Sequence, residues 1–82
     1  MISVVYFARL KEVFGIAEES LASQPATVAD LIALLAARGG VWADELAASK
    51  VFRVAINQEM AQLADAIPDN AEVAIFPPVT GG

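Results

Sequence analysis

Neither cysteine nor histidine occurs in this chain. Their absence removes disulfides, thiolate nucleophiles, zinc sites of the usual ligand set, and the side chain most often used as a general base. Positive charge is scarce as well. Arg9, Lys11, Arg38, Lys50 and Arg53 are scattered against ten acids, for a net charge of -5. Such a chain repels phosphate backbones and anionic membranes, so neither nucleic acid nor membrane is expected as a partner. No long hydrophobic run is present: the longest, Leu31 to Ala37, lies between Asp30 and Arg38, far short of the roughly 20 residues a membrane span requires. The opening "MISVVYFARLKEV" has no basic start leading into a long apolar segment and a small-residue cleavage site, so a cytoplasmic location is expected. "RGGV" lacks the spacing and the lysine of a phosphate-cradling loop, so no nucleotide-binding site is expected on this chain.

What is present is apolar. A hydrophobic fraction of 57% excludes a disordered tail, although alanine supplies much of it. The 82 residues leave room for one small domain, expected over 1–82, and neither an internal repeat nor a linker interrupts them.

Periodicity orders the elements. Ile2 to Ala8 is β-branched and aromatic, apolar enough for a strand covered on both faces. Leu10, Val13 and Phe14 then fall at helical spacing, with Gly15 placed to end the turn. Ala17 to Ser23 reads as a second strand, followed by a turn at "SQPAT". Thr27 caps the clearest helix, with Asp30 three residues on and Ala26 and Leu31 at the positions of a hydrophobic staple. Its apolar face is expected to run through Val28, Leu31, Leu34 and Leu35, with Ile32 at the side. Arg38 complements the dipole and Gly39 ends the helix. "VWADELAASK" carries a short second helix with Trp42 and Leu46. Val51 to Asn57 and Met60 to Leu63 form a hairpin, a turn follows at Pro68 to Asn70, and Glu72 to Phe76 is the last strand, stopped by two prolines.

This order predicts an α+β domain in which one main helix crosses a mixed sheet of about five strands, with the first and last strands as central neighbours. The last strand would then release residues 77–82 from the middle of the sheet as an extended functional tail. Glu18 and Glu19, adjacent on a strand, point to opposite faces and do not converge as an acid/base pair; both read as solvated charges. Trp42 reads as a core or core-edge residue.

The tail ends in Gly81 and Gly82. A terminal Gly-Gly presents a carboxylate with no side chain within two residues, slim enough to enter a narrow channel in another protein and expose its carbonyl carbon. A carboxylate is a poor electrophile until activated, and this chain has no means of activating it. The terminus is therefore expected to be cargo site and substrate, with catalysis done elsewhere.

The stretch "YFARLKEVFG", the "VAIN" turn and above all "EVAIFPPVTGG" resemble the molybdopterin synthase small-subunit family, ubiquitin-like sulfur carriers of the β-grasp fold. The resemblance covers essentially the whole chain. It implies that Gly82 is adenylated by a partner adenylyltransferase/sulfurtransferase, which uses ATP, and is converted to a thiocarboxylate. Val79, Thr80, Gly81 and Gly82 would then insert into the synthase large subunit and give sulfur to cyclic pyranopterin monophosphate, the two subunits forming a heterotetramer. No cofactor bound by this chain itself is implied, and no active site of its own. Phe76 is open between core and partner surface, and Pro77 and Pro78 are expected partner contacts. The family usually carries an Asp-Gly-Asp-Glu-Val turn where this chain has "DNAEV", with Asn70 in the glycine slot and Ala71 replacing an acid. Asparagine tolerates positive φ, so the turn is expected to survive. Sulfur carriage for a thiamine-type thiazole, and ubiquitin-like modification of lysine amines, share the same terminal chemistry and stay open.

Overall fold

The computed structural model describes residues 1–47 and 52–77. Five strands form one mixed sheet: β1 (Ile2–Tyr6), β2 (Glu18–Leu21), β3 (Arg53–Ile56), β4 (Glu59–Ala61) and β5 (Glu72–Phe76). Their spatial order is β2-β1-β5-β3-β4. β1 and β5 are central and parallel, and every other pairing is antiparallel. The expected adjacency of first and last strands therefore holds.

β1 ends at Tyr6, two residues before its expected limit, because Ala8 takes φ 51 and turns the chain into α1 (Arg9–Phe14). Ile2, Val4 and Tyr6 are buried, while Ser3 and Val5 are only half-buried on the other face. Leu10 anchors α1, and Gly15, in the left-handed region at φ 79, closes it.

The main helix, α2 (Val28–Ala36), begins where Thr27 accepts a 3.2 Å hydrogen bond from the Asp30 amide. Two more first-turn amides, of Val28 and Ala29, donate to the carbonyls of Asp65 and Leu63. The loop after β4 thus satisfies donors that a helix start otherwise leaves open. Val28, Leu31, Ile32 and Leu35 are buried, whereas Leu34 is 37% exposed. The expected face is corrected here. At 3.6 residues per turn, Leu34 lies about 90° from the centre of the stripe set by residues 28, 31 and 35, and Ile32 lies nearer to it. The helix also stops at Ala36, short of Gly39; the Arg38 and Gly39 amides reach back only three residues, to Leu35 and Ala36. Gly39 then reverses the chain at φ 79 into α3 (Val41–Glu45), after which Leu46 is buried.

β3 and β4 are joined by Asn57 and Gln58, at φ 49 and 72, the pair of positive values that a type I′ hairpin turn demands. This tight turn starts β4 at Glu59. The Gln62 amide then donates to the Asp65 carboxylate, 2.8 Å away, diverting the chain after Ala61. β4 is therefore shorter than expected and begins one residue earlier. Asn70 sits at φ 59, as its place in the turn requires.

Candidate functional site

Alternation along the strands assigns side chains to the two faces of the sheet. Val73 and Ile75 of β5 point to the helices and are fully buried. Ala74 and Phe76 point the other way. Register places Arg53 opposite Phe76, Ala55 opposite Ala74, and Met60 opposite Ala55, so these five residues share the helix-free face.

Phe7, the residue after β1, joins them. Its amide donates to the Ile75 carbonyl at 3.2 Å, and its ring lies parallel to that of Phe76, with centroids 4.7 Å apart and planes 10° from parallel. Phe7 is 42% exposed and Met60 61%, whereas Ala55 and Ala74 between them are nearly covered. The result is an aromatic ledge at the mouth of β5, continuing across small residues to Met60. Pro77, half-buried, follows directly; lacking an amide hydrogen, it cannot extend the ladder. Of the residues singled out in the sequence, Phe76 and Pro77 stand at this exit, while Pro78, Val79, Thr80, Gly81 and Gly82 lie outside the described residues. For Phe76, the ring stack on the open face decides between core and surface: it belongs to the ledge.

Two contributors escaped sequence reasoning. Phe7 was visible only as part of an apolar run, yet parallel pairing of the first and last strands would have placed it beside Phe76. Arg53 was one of several scattered cations, and only the register puts it at the exit. A groove of about 340 Å³ runs from this point toward the start of α2, lined by Arg53, Met60, Leu63, Phe52 and Val28.

A second cluster lies on the helix side. The Tyr6 hydroxyl donates to Glu19 Oε2 at 2.6 Å, and Arg38 donates to both carboxylate oxygens of Glu19 at 2.8 Å. The Arg38 guanidinium also covers Trp42, 4.4 Å from the ring centroid, and Trp42 stacks on Phe14 at 3.8 Å. Tyr6 meets both of these rings edge-on. Glu19 is therefore no mere solvated charge, contrary to expectation: it ties β2 to the end of α2. Glu18 is exposed and does not converge with it.

Burial first, and then the Glu19 carboxylate, push the Tyr6 phenol well above the ordinary tyrosine range. Hydrogen bonds from Arg38, with help from Tyr6, hold Glu19 below the ordinary glutamate range. Both shifts freeze the neutral-pH protonation states, so the cluster is a lock between elements and not a proton-transfer site. Among the described residues no group of three carboxylates could hold a metal ion, and no helix is long and apolar enough to cross a membrane.

Comparison with known proteins bears on the family and the fold. Residues 4–82 match the ThiS family. The molybdopterin synthase sulfur carrier subunit of Haemophilus influenzae is 39% identical, with each chain covered completely. Among solved structures, the HVO 2177 protein of Haloferax volcanii superposes with a TM-score of 0.81 at 29% identity, covering 99% of this chain and 85% of that one. Small archaeal modifier protein 1 of the same organism gives 0.67 at 30% identity, covering 95% and 97%. The β-grasp architecture and the end-to-end similarity together place this chain in the ThiS family, alongside the molybdopterin synthase sulfur carrier subunits.

Proposed function

We propose that this chain is the sulfur carrier subunit of a molybdopterin synthase. The observation that carries the proposal is the full-length similarity, at 39% identity, to a protein of that name. In this reading the Gly82 carboxylate attacks the α-phosphate of ATP on an adenylyltransferase partner, releasing pyrophosphate. A sulfur nucleophile then displaces AMP from the acyl adenylate and leaves a thiocarboxylate. In the large subunit that sulfur passes to the pterin, and water restores the carboxylate.

The body contributes placement. β5 is held by ladders on both sides, so the exit at Pro77 is fixed relative to the ledge of Phe7, Phe76 and Met60. Apolar surface beside a chain exit suits docking on the protein that takes the tail. Phe76 and Pro77 are its partner contacts, and Pro78 and Val79 continue toward the glycines.

Intact mass spectrometry after co-expression with an activating enzyme and a sulfur source tests the proposal. The expected product carries one oxygen-to-sulfur exchange at Gly82, and deletion of Gly82 is expected to stop pterin sulfuration. Recovery of the carboxylate form alone, or sulfuration without Gly82, overturns it. The likeness to small archaeal modifier protein 1 favours a second reading, in which activated Gly82 is attacked by a lysine amine. Isopeptide-linked adducts in cell extracts, dependent on Gly82, would establish that use.

A further inference from the structure

We propose that Arg53 is the charged anchor of the tail-exit surface and pairs with a carboxylate side chain on the large subunit that receives the tail. The inference rests on the carrier function proposed above, and it deepens it by naming a determinant of partner choice.

The chain spends its other guanidiniums internally. Arg9 is bridged at two points to Glu45, and Arg38 at two points to Glu19. Arg53, exposed at the first position of β3, makes no ion pair among the described residues. Lys11 is likewise unpaired there, but it sits on α1, away from the sheet face. Cross-strand neighbours of one face stand about 5 Å apart at their Cβ atoms, so the Arg53–Phe76 register sets the base of the Arg53 side chain beside the aromatic ledge. Along the same face, Glu72 marks the far end of β5. The face thus carries Arg53 at the exit, Glu72 at its base and Glu18 two strands away opposite Val5, in a chain whose net charge is -5.

In the free protein the guanidinium is hydrated. Once a partner covers Phe7 and Phe76, Arg53 loses water and is left without a counter-charge unless the partner supplies one. A planar fork of donors is matched best by two oxygens of one carboxylate or phosphate. The nucleotide phosphate meets the chain at Gly82, six residues beyond Phe76 in the sequence, whereas Arg53 stands opposite Phe76 itself, so the group that faces Arg53 belongs to the docking surface. A carboxylate on the rim of the large subunit remains.

The test titrates purified large subunit with the wild-type carrier, Arg53→Glu, Arg53→Lys and Phe76→Ala by calorimetry at low and high salt. Arg53→Glu is expected to weaken binding at least about tenfold at low salt, with the gap narrowing at high salt. Arg53→Lys should fall between, since it keeps charge and loses the fork. An acid-to-lysine change on the large subunit's rim should restore binding to Arg53→Glu. Unchanged Trp42 fluorescence confirms that each variant is folded. If Arg53→Glu binds within about twofold of wild type at low salt while Phe76→Ala binds weakly, the inference fails and the docking surface stands. An effect confined to the ATP-dependent adenylation step assigns Arg53 to the phosphate and overturns it as well. If the wild-type carrier does not bind, the carrier function itself has failed.

Discussion

Replacing Tyr6 by phenylalanine removes one oxygen atom from a side chain that is 1% exposed and leaves the ring contacts with Phe14 and Trp42 in place. The lost interaction is a 2.6 Å hydrogen bond to an ionised carboxylate, a class that contributes about 1.5–3 kcal/mol. Arg38 still holds Glu19 through two donors, so the carboxylate is not stranded, and the cost falls at the lower end, about 1.5–2 kcal/mol. For a domain of this size each kcal/mol moves Tm by about 4–8 °C, which gives a drop on the order of 6–16 °C. The pH dependence sharpens the test. Glu19 is held below its ordinary range, so its contribution is present above the unfolded value of about 4.3 and disappears as pH falls through the folded one. Tyr6 is raised, so its contribution is present below the unfolded value of about 10 and is lost as pH climbs beyond it. Wild type minus Tyr6→Phe should therefore give a stability difference that is flat near neutrality and shrinks at both extremes. Tyr6 is the chain's single tyrosine, which assigns the alkaline limb of that difference. Thermal melts followed by circular dichroism across the pH range measure it. A Tm change under about 2 °C, or a difference that persists undiminished to about pH 11, refutes the argument.

Other substitutions probe separate elements. Thr27→Ala deletes the cap of α2 and should cost about 1 kcal/mol in urea unfolding; no change would mean that the amides held by Asp65 and Leu63 suffice. Leu35→Ala should cost about 2–5 kcal/mol, whereas Leu34→Ala should stay within about 0.5 kcal/mol, and similar losses at the two sites would contradict the corrected helix face. Gln58→Gly relieves a left-handed glutamine, a gain of about 1–2 kcal/mol reduced by glycine's entropy cost of about 0.5–1 kcal/mol. A small rise in the urea midpoint is expected, and a fall would show that the turn is not strained.

The helix cap, the closing Gly15 and the boundaries of β5 were legible because each is decided locally, by a hydroxyl at the right offset, a residue free of a Cβ, or a proline without an amide hydrogen. The pairing of β1 with β5 followed from their apolar composition. What stayed hidden depends on register. Glu19 and Arg38 are far apart in the chain and gain meaning only when β2 lies against the end of α2. Arg53 and Phe7 become neighbours of Phe76 through two different ladders. Leu34 went astray because an alanine-rich helix carries more leucine than its stripe can cover. The β4 boundary moved because Gln58 accepted a conformation usually left to glycine. At the candidate site the sequence put Phe76 and Pro77 at the end of the last strand, but the face Phe76 takes and the charge beside it came only with the register.

The central position of β5 also has a mechanical side. Chain leaving the middle of a sheet transmits any pull on the tail along the strand axis, parallel to β1 on one flank and antiparallel to β3 on the other. The hydrogen bonds of both ladders run across that axis, so they bear the load together in shear and do not peel apart in succession. Force spectroscopy gripping the two termini should meet a stiff, abrupt rupture. A carrier so built could be drawn back out of a tight channel while its folded body stays whole.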